Sequence, residues 1–246
     1  MNLSDPRRNP LINGVAYALA LLGTLVGMVQ GWQGLVYFCK PLLMIVLSLW
    51  FFYSSRRVGD RFTLLVQAGL FFSLLGDVAL MFQHLDEFNF LIGLAAFMMA
   101  QICYAMAFAQ NAIDVGEANG LLVSLILTVL VAAYGFFFAY DLLPYLDEGL
   151  LLPVVAYAIA ITVMGCAAAF RFRRTFPRSF WMVFVGAVLF ITSDSLLARN
   201  HCVHPFEWAD ALVMLSYGVA QYLVVAGCLV HVLAPDELRR RQALRT

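Results

Sequence analysis

The chain has 246 residues, 63% of them hydrophobic and only 12% charged, with a mean hydropathy of +0.86. A soluble domain carries about 25% charged residues, so this composition excludes an ordinary water-soluble globule. Fifteen basic residues against fifteen acidic ones exclude the basic excess of a nucleic-acid binder and the acidic excess of a disordered tail.

A membrane-spanning helix needs about 20 mainly apolar residues. Eight such runs follow one another, over residues 11–28, 35–52, 62–82, 90–109, 120–140, 150–169, 180–197 and 211–232. The first follows Arg7 and Arg8, but it is long and lacks the small-residue cleavage pattern of a signal peptide, so it is expected to stay as a helix. Most connections are under about 12 residues, which makes successive helices antiparallel neighbours. The expected fold is therefore an all-α membrane protein, with residues 1–246 forming a single eight-helix bundle. Cys39, Cys103, Cys166, Cys202 and Cys228 show no CxxC spacing, and neither a disulfide framework nor a structural zinc site is expected.

Basic residues orient the bundle, because short cytoplasmic segments hold the Lys/Arg excess. With the N-terminus inside, the inner segments hold Arg7 and Arg8, then Arg56, Arg57 and Arg61, then Arg171, Arg173, Arg174 and Arg178, then Arg239, Arg240, Arg241 and Arg245. Of the fifteen cations only Arg199 then lies outside and Lys40 within a helix. Both termini are expected in the cytoplasm, in keeping with an even helix number. The basic cluster at 171–178 reads as a topology signal in contact with anionic lipid, and the run 239–241 as a solvated stop.

Three ionisable residues fall at membrane depth: Lys40 near the start of the second helix, and Asp77 and Asp194 late in the third and seventh. Each costs about 2.5 to 3.5 kcal/mol at a helix centre on insertion scales. The alternating directions of the helices bring all three to the outer third of the bilayer, with Glu207 and Asp210 at a similar level. A common depth points to one polar site. The plainer reading is a buried Lys–Asp pair that fixes packing, but one lysine cannot balance two carboxylates.

The surroundings of the two Asp residues are alike. Leu74-Leu75-Gly76-Asp77-Val78-Ala79-Leu80 resembles Ile191-Thr192-Ser193-Asp194-Ser195-Leu196-Leu197, and each Asp has a His seven residues on, at His84 and His201. Seven residues put Asp and His on one face about 10 Å apart if the helix continues. The match hints at two parallel four-helix halves, although close helix packing also selects small residues. His84, His201 and His204 lie on the outer side, where they read as interfacial histidines; no HxxxH or HExxH spacing marks a metal site. Gln101, Tyr104, Tyr217 and Gln221 are mid-helix polar groups expected to hydrogen-bond between helices, with Tyr104 or Tyr217 within reach of the site. Ser193 and Ser195 lack the surroundings of a catalytic nucleophile. Pro41 and Pro153 lie near helix starts, where proline is tolerated.

Lys40-Pro41, Gly76-Asp77, the stretch from Gly93 to Tyr104, Ser193-Asp194 with Leu197-Ala198 and Asn200, and Tyr217 with Ala220-Gln221 together resemble the YhhN family of multi-spanning membrane proteins, to which the lysoplasmalogenases belong. The resemblance covers nearly the whole chain, with His201-Cys202 departing from the basic and aromatic residues expected after Asn200. It implies hydrolysis of the vinyl ether bond of a lysoplasmalogen, giving a fatty aldehyde and a glycerophospho-base. The implied site has Asp77 and Asp194 as the acid/base pair, with Lys40, Tyr104, Ser193, Asn200, Tyr217 and Gln221 binding substrate or tuning the pair. It implies no cofactor, no metal and no nucleic acid, and a lysophospholipid substrate taken from the bilayer. The expected location is a bacterial inner membrane, with the site towards the outer leaflet. On the residues alone, a proton-coupled carrier using the same Asp pair and a structural or sensory membrane protein are the alternatives. The off-centre depth of the carboxylates speaks against a carrier, whose site usually lies at the midplane.

Overall fold

The computed structural model describes residues 5–56, 58–113 and 120–234. Arg57, Arg239, Arg240, Arg241 and Arg245 lie outside the described residues. Eight long helices follow in order: α1 (Pro10–Gln30), α2 (Gln33–Ser55), α3 (Arg61–Met81), α4 (Glu87–Ile113), α5 (Leu121–Leu142), α6 (Glu148–Phe170), α7 (Pro177–Ala198) and α8 (Ala209–Val232). All eight are long and apolar enough to cross a membrane, and among the described residues there is no strand.

Local chemistry sets the helix ends. The Asn9 side chain accepts from the Leu11 N–H and Pro10 occupies the first helical position of α1, where its missing N–H costs nothing. Gly31 closes the helix at φ 70°, a left-handed conformation that lets the chain turn at once into α2. Asp60 caps α3 through the Thr63 N–H. The Asn200 Oδ1 accepts the Phe206 N–H at 3.2 Å and holds the loop between α7 and α8.

Two details of helix extent bear on the expectations. α2 starts at Gln33, two residues before the expected run, so Pro41 falls in its third turn, and the Tyr37 carbonyl one turn back has no helical N–H to accept. α3 ends at Met81 and α7 passes into a π-turn over Arg199–Val203, so neither helix carries Asp and His in regular register to His84 or His201.

Sequential helices pack as hairpins, α1 with α2, α3 with α4, α5 with α6 and α7 with α8. α4 also packs on α6, and α8 touches α1, α2 and α3. α8 is the centre of the bundle and α5 its rim: 61% of the apolar stretch of α8 is buried against 6% of that of α5. In the sequence, an offset of 117 residues pairs several positions of α1–α4 with positions of α5–α8. It carries Gly69 to Gly186, Asp77 to Asp194 and Tyr104 to Gln221. At the glycine pair, a Cβ on Gly69 would strike the Tyr104 ring of α4, and one on Gly186 the Ala220 carbonyl and Val224 of α8. The two glycines thus admit α4 and α8.

The connections after α2 and α6, with the starts of α3 and α7, form a basic end that holds Arg56, Arg61, Arg171, Arg173, Arg174 and Arg178. Arg171 is not lipid-facing as the sequence suggests. It is fully buried, with Nε donating to Asn111 Oδ1 and Nη2 to Ser179 Oγ, both at 3.0 Å, and its guanidinium over the Phe108 ring. Ser179 in turn donates to the Gly227 carbonyl at 2.8 Å. Burial lowers the pKa of Arg171 to about 10, so it remains a cation at neutral pH and ties α4, α7 and α8 together.

Candidate functional site

The opposite end, formed by the connections after α1, α3, α5 and α7, opens into a cavity of about 640 Å³. Asp77 and Asp194 both line it, each four residues before the last residue of its helix. Lys40, Ser193, Asn200 and Tyr217 join them in its wall. Glu207 and Asp210 line its mouth, so Lys40 is the only lining cation among the described residues, against four carboxylates.

The two Asp residues have different partners. Asp77 is 2% exposed; its Oδ1 lies 3.8 Å from Lys40 Nζ and its Oδ2 accepts from the Tyr217 hydroxyl at 2.7 Å. An acceptor-only carboxylate at this depth is therefore met by one positive charge and one O–H. Asp194 accepts from the Tyr157 hydroxyl of α6. It also faces a second, narrower crevice between α5, α6 and α7, which Tyr134, Phe138, Val154 and Ile161 line with mainly apolar groups. Asp194 thus stands where a polar cavity meets an apolar one.

Beneath the cavity runs a polar network. Tyr104 donates to Gln221 Oε1 at 3.0 Å, and Gln221 Nε2 donates to Ser73 Oγ at 2.9 Å and to the Tyr217 oxygen at 3.4 Å. Tyr104 and Gln221 are fully buried and do not line the cavity; they brace Tyr217 from below. Ser193 Oγ donates to the Val213 carbonyl at 2.9 Å, which pins α7 to α8 beside Asp194. The Gly76 backbone meets Phe97 closely, and Phe97 packs edge-on against Tyr217 at 5.7 Å.

The histidines stand apart. His201 stacks on Phe90 with ring centroids 3.8 Å apart. Among the described residues no group of three or more His, Cys, Asp or Glu side chains gathers within metal-binding range. Tyr157 is the residue that sequence reasoning missed. Its signal is the 117-residue offset, which carries Lys40 to Tyr157 as it carries Asp77 to Asp194.

Eight apolar helices, six of which line a charged, partly closed cavity, define an integral membrane protein with a polar site inside its helical bundle. The chain belongs to the YhhN family, which it matches over residues 35–228. Among its relatives, the lysoplasmalogenase TMEM86B of Rattus norvegicus is 30% identical over 198 residues, 80% of this chain and 74% of the relative. The lysoplasmalogenase TMEM86B of Sus scrofa is 32% identical over 193 residues, 78% of this chain and 74% of the relative. A lysoplasmalogenase of Mycobacterium tuberculosis is 29% identical over 148 residues, 60% of this chain and 54% of the relative. No solved structure matches the chain.

Proposed function

We propose that this protein is a lysoplasmalogenase, an ether hydrolase that cleaves the vinyl ether bond of a lysophospholipid within the bilayer. The observation that carries the reading is the pair of carboxylates in one cavity, Asp77 and Asp194, one held by Lys40 and the other by a neutral phenol. Relatives named lysoplasmalogenase supply the substrate class.

Vinyl ether hydrolysis begins with proton transfer to the carbon distal to the ether oxygen. The oxocarbenium ion that results is attacked by water, and the hemiacetal collapses to aldehyde and alcohol. Such a sequence needs an acid, and a base that orients water and balances the cation, as paired carboxylates do around the oxocarbenium-like transition state of glycosidases. Asp77 and Asp194 fill those roles. The scissile bond of a lysolipid lies just below its headgroup, which matches carboxylates one helical turn from the helix ends. Glu207 and Asp210 at the mouth complement a cationic headgroup, and Lys40 and Asn200 give polar contacts beneath it. The positive-inside count supports cytoplasmic termini and a cavity on the outer-leaflet side, and the location we propose is a bacterial inner membrane.

The test is aldehyde release from a vinyl-ether lysolipid by purified protein in detergent, with Asp77→Asn and Asp194→Asn beside the wild type. Turnover by wild type and a loss of about 10²- to 10⁴-fold in each variant is the expected result. An inactive wild type, or an active Asp77→Asn/Asp194→Asn double variant, overturns the assignment.

A further inference from the structure

The two carboxylates are not equivalent, and their surroundings say which does what. A sequence offset of 117 residues carries Asp77 to Asp194 and Lys40 to Tyr157. At these offset-related positions Asp77 is met by an ammonium and Asp194 by a phenol. A carboxylate ion at membrane depth needs a counter-charge, and among the described residues the cavity wall supplies one cation for the pair. Asp77 holds that cation and a second donor, Tyr217. Asp194 has a neutral donor on Oδ2 and, among the described residues, no hydrogen-bond partner on Oδ1, which can carry a proton. Asp194 also lies at the junction of the polar cavity and the apolar α5–α6–α7 crevice, where the first alkenyl carbons meet the glycerol oxygen if the chain enters the crevice.

Resting on the lysoplasmalogenase reading, we propose that Asp194 is the proton donor and Asp77 the base, with Tyr157 as a positioning residue that presents the Asp194 acid. The Asp194 carboxyl gives its proton to the vinyl carbon distal to oxygen, and the C=C electron pair forms the new C–H bond. Water then adds to the oxocarbenium carbon while Asp77 takes its proton. In the collapse of the hemiacetal, Asp194 takes back the hydroxyl proton as the C=O bond forms, and Asp77 returns its proton to the departing glycerol oxygen. Both groups end as they began, and one water is consumed per ether cleaved.

Sodium azide separates the two roles, because it traps an oxocarbenium ion without the help of a base but cannot protonate a carbon. Asp77→Asn and Asp77→Ala, and likewise Asp194→Asn and Asp194→Ala, are incubated in detergent with a vinyl-ether lysolipid and azide. Mass spectrometry reads the adduct of substrate plus hydrazoic acid. The adduct is expected from the Asp77 variants and not from the Asp194 variants. Adduct from the Asp194 variants, or from neither set while wild type releases aldehyde, overturns the assignment but leaves the lysoplasmalogenase reading in place. A wild type that releases no aldehyde overturns that reading and this one with it. Tyr157→Phe gives an independent measure: kcat is expected to fall about 10-fold, the worth of one hydrogen bond to the acid, with KM within about twofold. An unchanged kcat, or a loss confined to KM, overturns the positioning role.

Discussion

Lys40 and Arg171 show how much a single cation does in a bundle with little charge. Removing Lys40 leaves Asp77 buried at 2% exposure without its counter-charge, and breaking a buried pair from one side costs about 3 to 5 kcal/mol. Lys40→Met should therefore lower the unfolding temperature in detergent, and adding Asp77→Asn to it should restore most of the loss without restoring activity; additive losses in the double variant would show that the two side chains do not interact. At the basic end, Arg171→Lys keeps the charge but cannot donate to Asn111 and Ser179 from one planar group. A loss of about 1 to 3 kcal/mol is expected, read as a drop in unfolding temperature. The sequence made Lys40, Asp77 and Asp194 legible, because charge in an apolar run is conspicuous. Arg171 and Tyr157 were not legible. One sits at a helix end where solvated arginines are usual, and the other is an aromatic residue among many.

At the scale of helices, close approach decides which pairs form. A Cβ on Gly186 would sit 3.0 Å from the Ala220 carbonyl oxygen and 3.1 Å from the Val224 backbone nitrogen, and backbone cannot step aside as a flexible side chain can. Gly186→Val should separate α7 from α8 and lower the yield of monodisperse protein. Gly34→Ala, with nothing within 4 Å of its Cβ near the start of α2, should be neutral or stabilising by up to about 1 kcal/mol. Wild-type behaviour of both variants would show that the α7–α8 contact is looser than its geometry. The spans were legible within a few residues because hydropathy is a local property. The rotation of each helix was not, which is why Tyr104 and Gln221 lie under the cavity rather than in its wall.

For the whole molecule, the central α8 and the peripheral α5 set what can move and what cannot. α8 carries Tyr217 and Gln221 and touches helices of both halves, so the site is braced where the bundle is best packed. The crevice beside Asp194 is bounded on one side by α5, the helix most open to lipid. The charge distribution predicts that a fluorescent-protein fusion at either terminus glows and a periplasmic phosphatase fused at the same point stays inactive. An active phosphatase at the C-terminus would reverse the orientation and place the cavity at the cytoplasmic leaflet.

By itself the sequence determined insertion into a membrane, the number and limits of the spans, and the presence of two carboxylates and one lysine at a common level. These follow from hydropathy and charge along the chain, and helix geometry converts position directly into depth. Only the tertiary structure decided that Lys40 meets Asp77 rather than Asp194, that Tyr157 completes the second pair, and that Arg171 turns inward. Those outcomes depend on which non-sequential helices pack and which face each presents. In a bilayer that choice rests on small-residue contacts and interhelical hydrogen bonds, which no single segment of the chain contains.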